Sequence, residues 1–361
     1  MCPYKRPKLC SERNYSINDI YTTLLFSSLL FSIEVVNSLL LRRKRRRMAS
    51  AAAEATTTIH SSKASSMGLA GEMEVEAYRR LFPLPFYERH LQESVRPDAR
   101  PLSRSRETSV ALGPVATADG SALVKIGETT MLAAVKLEVM MPSSDSPDQG
   151  CVGVEFHMPP ICSPTVRPGR PAEAAPVISK QLSNVIMSSG MIDSKELSLI
   201  SGKAAWMAYL DIYCLNADGS LFDAALLSAI AAFSHLQIPL VSVNDDGRVI
   251  AVSGEPKDES KLKLVNKEKR KLSLRSIPFS LTCMLHKKYI FVDPTAEEES
   301  IMETTVTVVL DSLGRLVSVH KAGGSVLAYN STLQECIALT KRRVEELRKI
   351  LEESLLAMEV D

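Results

Sequence analysis

A chain of 361 residues, 45% apolar and 24% charged, is long enough for two lobes around a sizeable core, and its composition is that of an ordinary globular protein. Lysine and arginine (43) nearly cancel aspartate and glutamate (42), whereas a nucleic-acid binder working alone usually shows a basic excess; RNA contact has to come from a local patch or a partner, and a free-standing RNA-binding module stays open as a further alternative. Seven cysteines, an odd count with none in a C-x-x-C pair, argue against a closed disulfide framework and read as isolated reduced thiols of a cytosolic or nuclear protein; the six histidines are scattered, so no metal site and no cofactor is expected.

Residues 20–41 are an apolar run broken by Glu34 and a few small polar residues, and Arg42, Arg43, Lys44, Arg45, Arg46 and Arg47 follow at once. The length suits a bilayer span, and the basic block suits a stop-transfer flank or a nuclear localisation signal. Residues 49–66, rich in Ala, Ser and Thr, read as a low-complexity linker. Three readings compete: a membrane anchor, a targeting segment, or translated sequence upstream of the natural start. Glu34 costs roughly 2.5–3.5 kcal/mol near a bilayer centre if it scores like Asp. Met48, Met67 and Met73 offer starts ahead of the globular part, so the upstream reading is preferred and the anchor comes second. Residues 1–67 are set apart as an extension, and no membrane role is expected of the globular part.

In residues 75–93, Val75, Tyr78, Leu81 and Phe82 recur at helical spacing until Pro83 and Pro85 interrupt. Strands are expected at 110–115 and 122–126, flanking Asp119-Gly120 as a tight hairpin turn, and again at 130–140 and 152–158. A helix is expected over 173–189 (Val177, Leu182, Val185, Ile186), a strand over 206–215, and an Ala-rich helix over 223–236. The order then repeats. A hairpin around Asp246-Gly247 spans 241–252, a charged loop covers 261–271, strands lie at 279–284, 289–292 and 304–310, and an amphipathic helix closes the chain over 332–356. Sheet, helices, sheet, helix is an α+β protein of two similar sheet/helix lobes, 68–240 and 241–361.

Two strings carry a resemblance. Arg96-Pro97-Asp98-Ala99-Arg100 is similar to the R-P-D-x-R opening of the RNase PH superfamily. The run from Asp119-Gly120-Ser121-Ala122 through Val124 and Gly127 to Thr129 resembles its D-G-S-a-x-V-x-x-G-x-T hairpin. The resemblance covers about 96–339 and implies an RNase PH-like fold. Active members release nucleoside diphosphates from RNA 3′ ends with inorganic phosphate as nucleophile. A Thr-Arg pair at a Gly-rich turn holds the phosphate, because a guanidinium and backbone N–H groups match its oxygens. Two Asp residues beside the scissile bond serve as acid and metal ligand.

Residue by residue, the family's Q-A-D-G-G-T-R turn falls on Asn216-Ala217-Asp218-Gly219-Ser220-Leu221-Phe222, placing Leu221 on the Thr and Phe222 on the Arg. The string Asp293-Pro294-Thr295-Ala296-Glu297-Glu298-Glu299 resembles the non-catalytic ring subunits, and ungapped alignment puts Glu299 on the first catalytic Asp and Thr305 on the second. A hydroxyl is no general acid near neutral pH. Two losses at one site imply a non-catalytic structural subunit of an RNA exosome ring, with an active phosphorolytic exoribonuclease as the competing reading.

The resemblance further implies a heterodimer with another RNase PH-like subunit, three such pairs closing a six-membered ring. RNA-binding cap proteins and hydrolytic nucleases would sit on its two faces, and the assembly would work on RNA in the nucleus, nucleolus and cytoplasm. Arg167, Arg170 and Lys180, in and after the loop that precedes the first long helix, are expected to touch RNA phosphates. Arg96 and Arg100 are expected to be structural, with an arginine pairing locally with Asp98. His157 and His235 are read as lone core or surface histidines.

Overall fold

The computed structural model describes residues 67–243, 249–251, 263–264, 270–302, 304–325 and 329–359. The run at 20–41, the basic block, the linker and Asp246-Gly247 lie outside them. Among the described residues no helix is long and apolar enough to cross a membrane.

Two helices lead in, α1 (Met67–Leu81) and α2 (Pro83–Gln92). The interruption expected at the prolines divides two helices: Pro83 opens α2, where a missing N–H costs nothing and φ is preset, and Pro85 lies within its first turn. Phe86, Tyr87 and Leu91 of α2 are buried against Met284, Phe291 and Met302 in a small core of their own.

The first sheet has six strands: β1 (Thr108–Leu112), β2 (Gly120–Ile126), β3 (Thr129–Met140), β4 (Cys151–His157), β5 (Ser198–Ile200) and β6 (Ala204–Asn216). Their order is β1-β2-β3-β6-β4, with β5 also pairing β6. All neighbours are antiparallel except β4, which runs parallel to β6. Alternation sets the faces: Ala208, Leu210, Ile212 and Cys214 are buried, while Tyr209, Asp211 and Tyr213 turn to the other side. The Asp119-Gly120 expectation is corrected here. Seven residues join β1 to β2, and the two-residue turn is Gly127-Glu128, between β2 and β3. Gly120 serves close packing instead, since a Cβ there would lie 2.6 Å from the Ala232 carbonyl oxygen. Asp119 accepts a bond from the Leu137 N–H (2.9 Å).

Helix α3 (Ala174–Ser189) covers β4, and α4 (Leu221–His235) packs on β1, β2, β3, β6 and also on a strand of the second sheet, β12 (Pro278–His286). Every α4 residue from Asp223 to Phe233 is buried, which is why its small Ala residues are needed: bulkier ones would hold the two sheets apart. The second sheet has the order β13-β12-β14-β15, with β13 (Tyr289–Val292), β14 (Thr304–Asp311) and β15 (Leu316–Lys321), and is antiparallel throughout. Between the sheets lie short pairs: β8 (Val241–Val243) with β9 (Val249–Ala251) and β10 (Lys263–Leu264), and β7 (Gln237–Ile238) with β11 (Arg270–Lys271). The expected charged loop therefore contributes two strand segments, because its backbone closes edges left open by β8 and β7. Further elements went unforeseen: the short strands β5 and β7, strand β15, and α5 (Ala296–Ile301), opened by a capping box between Thr295 and Glu298. The closing helix α6 (Asn330–Glu359) packs on β1, β12, β13 and β14. One continuous hydrophobic core runs from Ala122 through α4 to Leu351, so the two sheet/helix lobes share an interior.

Candidate functional site

The site lies at the N-terminus of α4, where the 218–220 turn meets the 293–299 segment. Thr129 of the D-G-S hairpin motif anchors the turn: its hydroxyl donates to the Gly219 carbonyl (2.8 Å) and accepts from the Asp218 N–H (3.2 Å). Gly219 (φ +72°) lets the turn press on the segment opposite, for a Cβ there would sit 2.4 Å from the Pro294 carbonyl oxygen. Ser220, also left-handed at φ +48°, gives its hydroxyl to that same carbonyl (3.2 Å).

The free N–H groups of a helix start make a ready anion site. In this chain a carboxylate already occupies it: the Ser220 N–H donates to Glu299 Oε1 at 2.8 Å. Burial pushes the Glu299 carboxyl up to about 7, against the pull of the Ser220 N–H. Leu221 and Phe222 follow, half-buried and packed on the main core, so hydrocarbon faces the turn where a phosphate ligand would need donors. Asp223 is turned inward, accepting from Ser280 Oγ (2.6 Å) and the Thr282 N–H (2.7 Å), and burial raises it to about 6. Thr305 stands on β14 opposite Met284, on the strand face of Thr307, whose hydroxyl meets that of Thr282 at 3.0 Å. Thr305 makes no side-chain hydrogen bond among the described residues. The hollow beside this network, between Asp223 and Asp293, holds about 10 Å³, about the room one water needs.

Sequence reasoning missed the residue that ties the site together. Arg106 is buried and donates to Asp293 through its backbone N (2.6 Å), Nε (3.0 Å) and Nη2 (2.7 Å), and to Asp218 Oδ2 through Nη1 (3.1 Å). Burial alone would raise the Asp293 carboxyl, but Arg106 holds it below its ordinary value. The pair joins residues 187 apart in the chain, which no local pattern displays.

Arg100 pairs with Asp98, as expected. Arg96 is structural in a way the local string does not suggest. It is 1% exposed, forms a two-bond pair with Glu298, donates to the Val292 carbonyl (2.7 Å) and stacks over Phe291. The R-P-D-x-R opening thus clamps the 292–298 segment and sets Glu299 against the helix start. Arg167 and Lys180 are exposed and carry no ion pair among the described residues, and Arg170 pairs with Glu173 (3.3 Å), so all three face solvent on one loop-and-helix stretch. His235 is held in the fold, its Nδ1 accepting from the Ser121 N–H (3.1 Å). His157 is not alone: Glu155 and Asp211 lie beside it.

Residues 104–239 match the family model described as 3′ exoribonuclease family, domain 1, and residues 276–343 match domain 2 of the same family. The exosome complex component Rrp42 of Methanopyrus kandleri is 32% identical over 259 residues, covering 72% of this chain and 91% of that protein. The chain belongs to the RNase PH-type 3′ exoribonuclease family. The exosome complex component rrp43 of Schizosaccharomyces pombe is 30% identical over 267 residues, covering 74% of this chain and 94% of its own. Among solved structures, an Archaeoglobus fulgidus exosome with RNA bound to the active site superposes with a TM-score of 0.63 at 28% identity over 77% of this chain and 98% of that one. An archaeal exosome core gives 0.59 at 25% identity, over 79% and 99%. Within this family, the stretch linking the two matched domains holds the short strands β8 to β11, and both halves of the candidate site fall inside matched domains.

Proposed function

We propose that the chain is a non-catalytic ring subunit of an RNA exosome, supporting 3′-to-5′ RNA processing and degradation by building the ring and lining the RNA path. One observation carries the loss of catalysis: the helix start that would receive phosphate is closed by the Glu299 carboxylate, with Leu221 and Phe222 beside it. A bound phosphate would meet a carboxylate and two hydrocarbon side chains, and this class of reaction depends on positioned charge. Thr305 supplies no acid.

The relatives support the ring role, as their names are those of exosome components. Among ring subunits, ribosomal RNA-processing protein 43 fits best: Ser143-Ser144-Asp145-Ser146-Pro147-Asp148, Pro159-Pro160-Ile161-Cys162-Ser163 and Leu285-His286 are the strings that favour it. The partners in this reading are another RNase PH-like subunit in a heterodimer, cap proteins and hydrolytic nucleases, in nucleus, nucleolus and cytoplasm. Arg167, Arg170 and Lys180 contact RNA phosphates. Affinity purification from native extract with sizing and identification of co-purifying chains tests the assignment. Recovery in a large assembly with other RNase PH-like chains supports it; recovery as a free species of monomer size refutes it.

A further inference from the structure

Strands β4 and β6 are parallel and in register, with Glu155 opposite Asp211 and His157 opposite Tyr213. All four side chains therefore share the sheet face turned away from α4, whose core side carries Phe156 and Ile212. The donor atoms of Glu155, His157 and Asp211 lie within 4.8 Å of one another.

Two carboxylates set directly opposite on neighbouring strands repel, and sheets seldom keep such a pair without a counter-charge. Here His157 Nε2 reaches Glu155 Oε2 at 3.6 Å, while Asp211 has no ion pair or side-chain hydrogen bond among the described residues. The nearby lysine on β3, Lys136, is paired with Asp119. On its other flank Asp211 faces Ala134, a small residue that leaves the carboxylate room. The His157 ring is steadied by stacking on Tyr213, centroids 4.8 Å apart and planes 24° from parallel. A ring held over two facing carboxylates, with a single imidazole nitrogen available to both, is a three-donor set with its remaining positions open to solvent.

We propose that Glu155, His157 and Asp211 bind one divalent first-row transition-metal ion of the zinc class. One imidazole and two carboxylates suit such an ion better than magnesium, which seeks oxygen ligands and keeps its waters. Ligand bonds of about 2.0–2.2 Å at tetrahedral angles set donors roughly 3.4 Å apart, so the trio, now within 4.8 Å, closes by up to about an ångström or slightly more on loading, a movement within reach of a side-chain rotation of the exposed Glu155. The site lies on the opposite face of the sheet from the α4 N-terminus and is independent of the proposed ring role.

The test is titration of the full-length chain, stripped with chelator, with Zn²⁺ by calorimetry and with Co²⁺ by visible absorption, alongside His157→Gln and Asp211→Asn. Losing even an outer-shell partner costs a metal site roughly 10–100-fold, so each variant loses at least about tenfold in affinity for its one ion, and the Co²⁺ bands change. Magnesium does not compete. Equal stoichiometry and affinity in wild type and both variants overturns the proposal. Should either variant fail to fold, anomalous scattering at the zinc edge from wild-type crystals decides it: a peak among the three donors is expected, and zinc-loaded crystals with no peak there refute it.

Discussion

Replacing Arg106 with Ala strips a buried carboxylate of its main partner. Asp293 is 2% exposed and loses its side-chain hydrogen bonds from the guanidinium, while Asp218 and the carbonyl of Gly219 lose theirs. The backbone N–H of residue 106 remains, and Arg100 stays 3.5 Å from Asp293, so part of the charge is still answered. Breaking a buried pair by removing one partner costs about 3–5 kcal/mol, and that residual compensation places R106A near the lower end, about 3 kcal/mol. Against a total stability of roughly 5–15 kcal/mol this moves the urea midpoint far beyond error. The pH dependence has a definite sign. In the wild type the Asp293 carboxyl sits below its usual 3.8, so its contribution is present above that value and is lost as pH falls through the depressed one. In R106A the buried carboxyl, short of its main partner, holds its proton more tightly than in the wild type, so the deficit is largest at neutral pH and shrinks on acidification. Urea unfolding followed by circular dichroism at several pH values measures both. A deficit below about 1 kcal/mol, the range of an exposed ion pair, or one indifferent to pH, refutes the account of Arg106 as the clamp.

Glu299 and Asp223, raised to about 7 and about 6, bind protons more tightly folded than unfolded, so stability falls as pH rises from about 3.8, where the Asp223 part begins, to about 7, where the Glu299 part ends. Glu299→Gln removes the upper part of that fall, at most about 3 kcal/mol from the size of the shift, and leaves the Asp223 part; parallel curves for the two proteins would contradict this. Replacing Arg167, Arg170 and Lys180 together by Ala in the assembled ring lowers the salt dependence of single-stranded RNA binding, by about 0.7 in log–log slope for each phosphate left unneutralised, read by fluorescence anisotropy; Arg170, shared with Glu173, contributes least. An unchanged slope removes these residues from the RNA path.

The strands and long helices were legible because burial on one face writes itself as alternation or as a helical period, as in Ala204–Asn216 and in the closing helix. What escaped has physical reasons. Asp119-Gly120 looks like a turn, but glycine is also needed where a helix presses on a strand, and sequence does not separate the two uses. Strand β15 is mostly solvent-facing and so lacks alternation, whereas α5 left a readable sign, Thr295 with Glu298 three residues on, hidden inside a string read for its catalytic positions. The resemblance pointed to Leu221, Phe222, Glu299 and Thr305 one by one. That Glu299 reaches the Ser220 N–H, and that Arg106 bridges Asp218 and Asp293, depends on residues 79 and 187 apart and needed the fold.

On the proposed reading, this member of the RNase PH-type 3′ exoribonuclease family carries out no phosphorolysis of its own. A labelled single-stranded RNA incubated with inorganic phosphate and the ring reconstituted around this chain measures it directly, with partner subunits carrying substitutions in their own phosphate sites. No phosphate-dependent nucleoside diphosphate is expected; release that disappears when Asp218 and Glu299 are replaced would show that the chain is an active phosphorolytic enzyme.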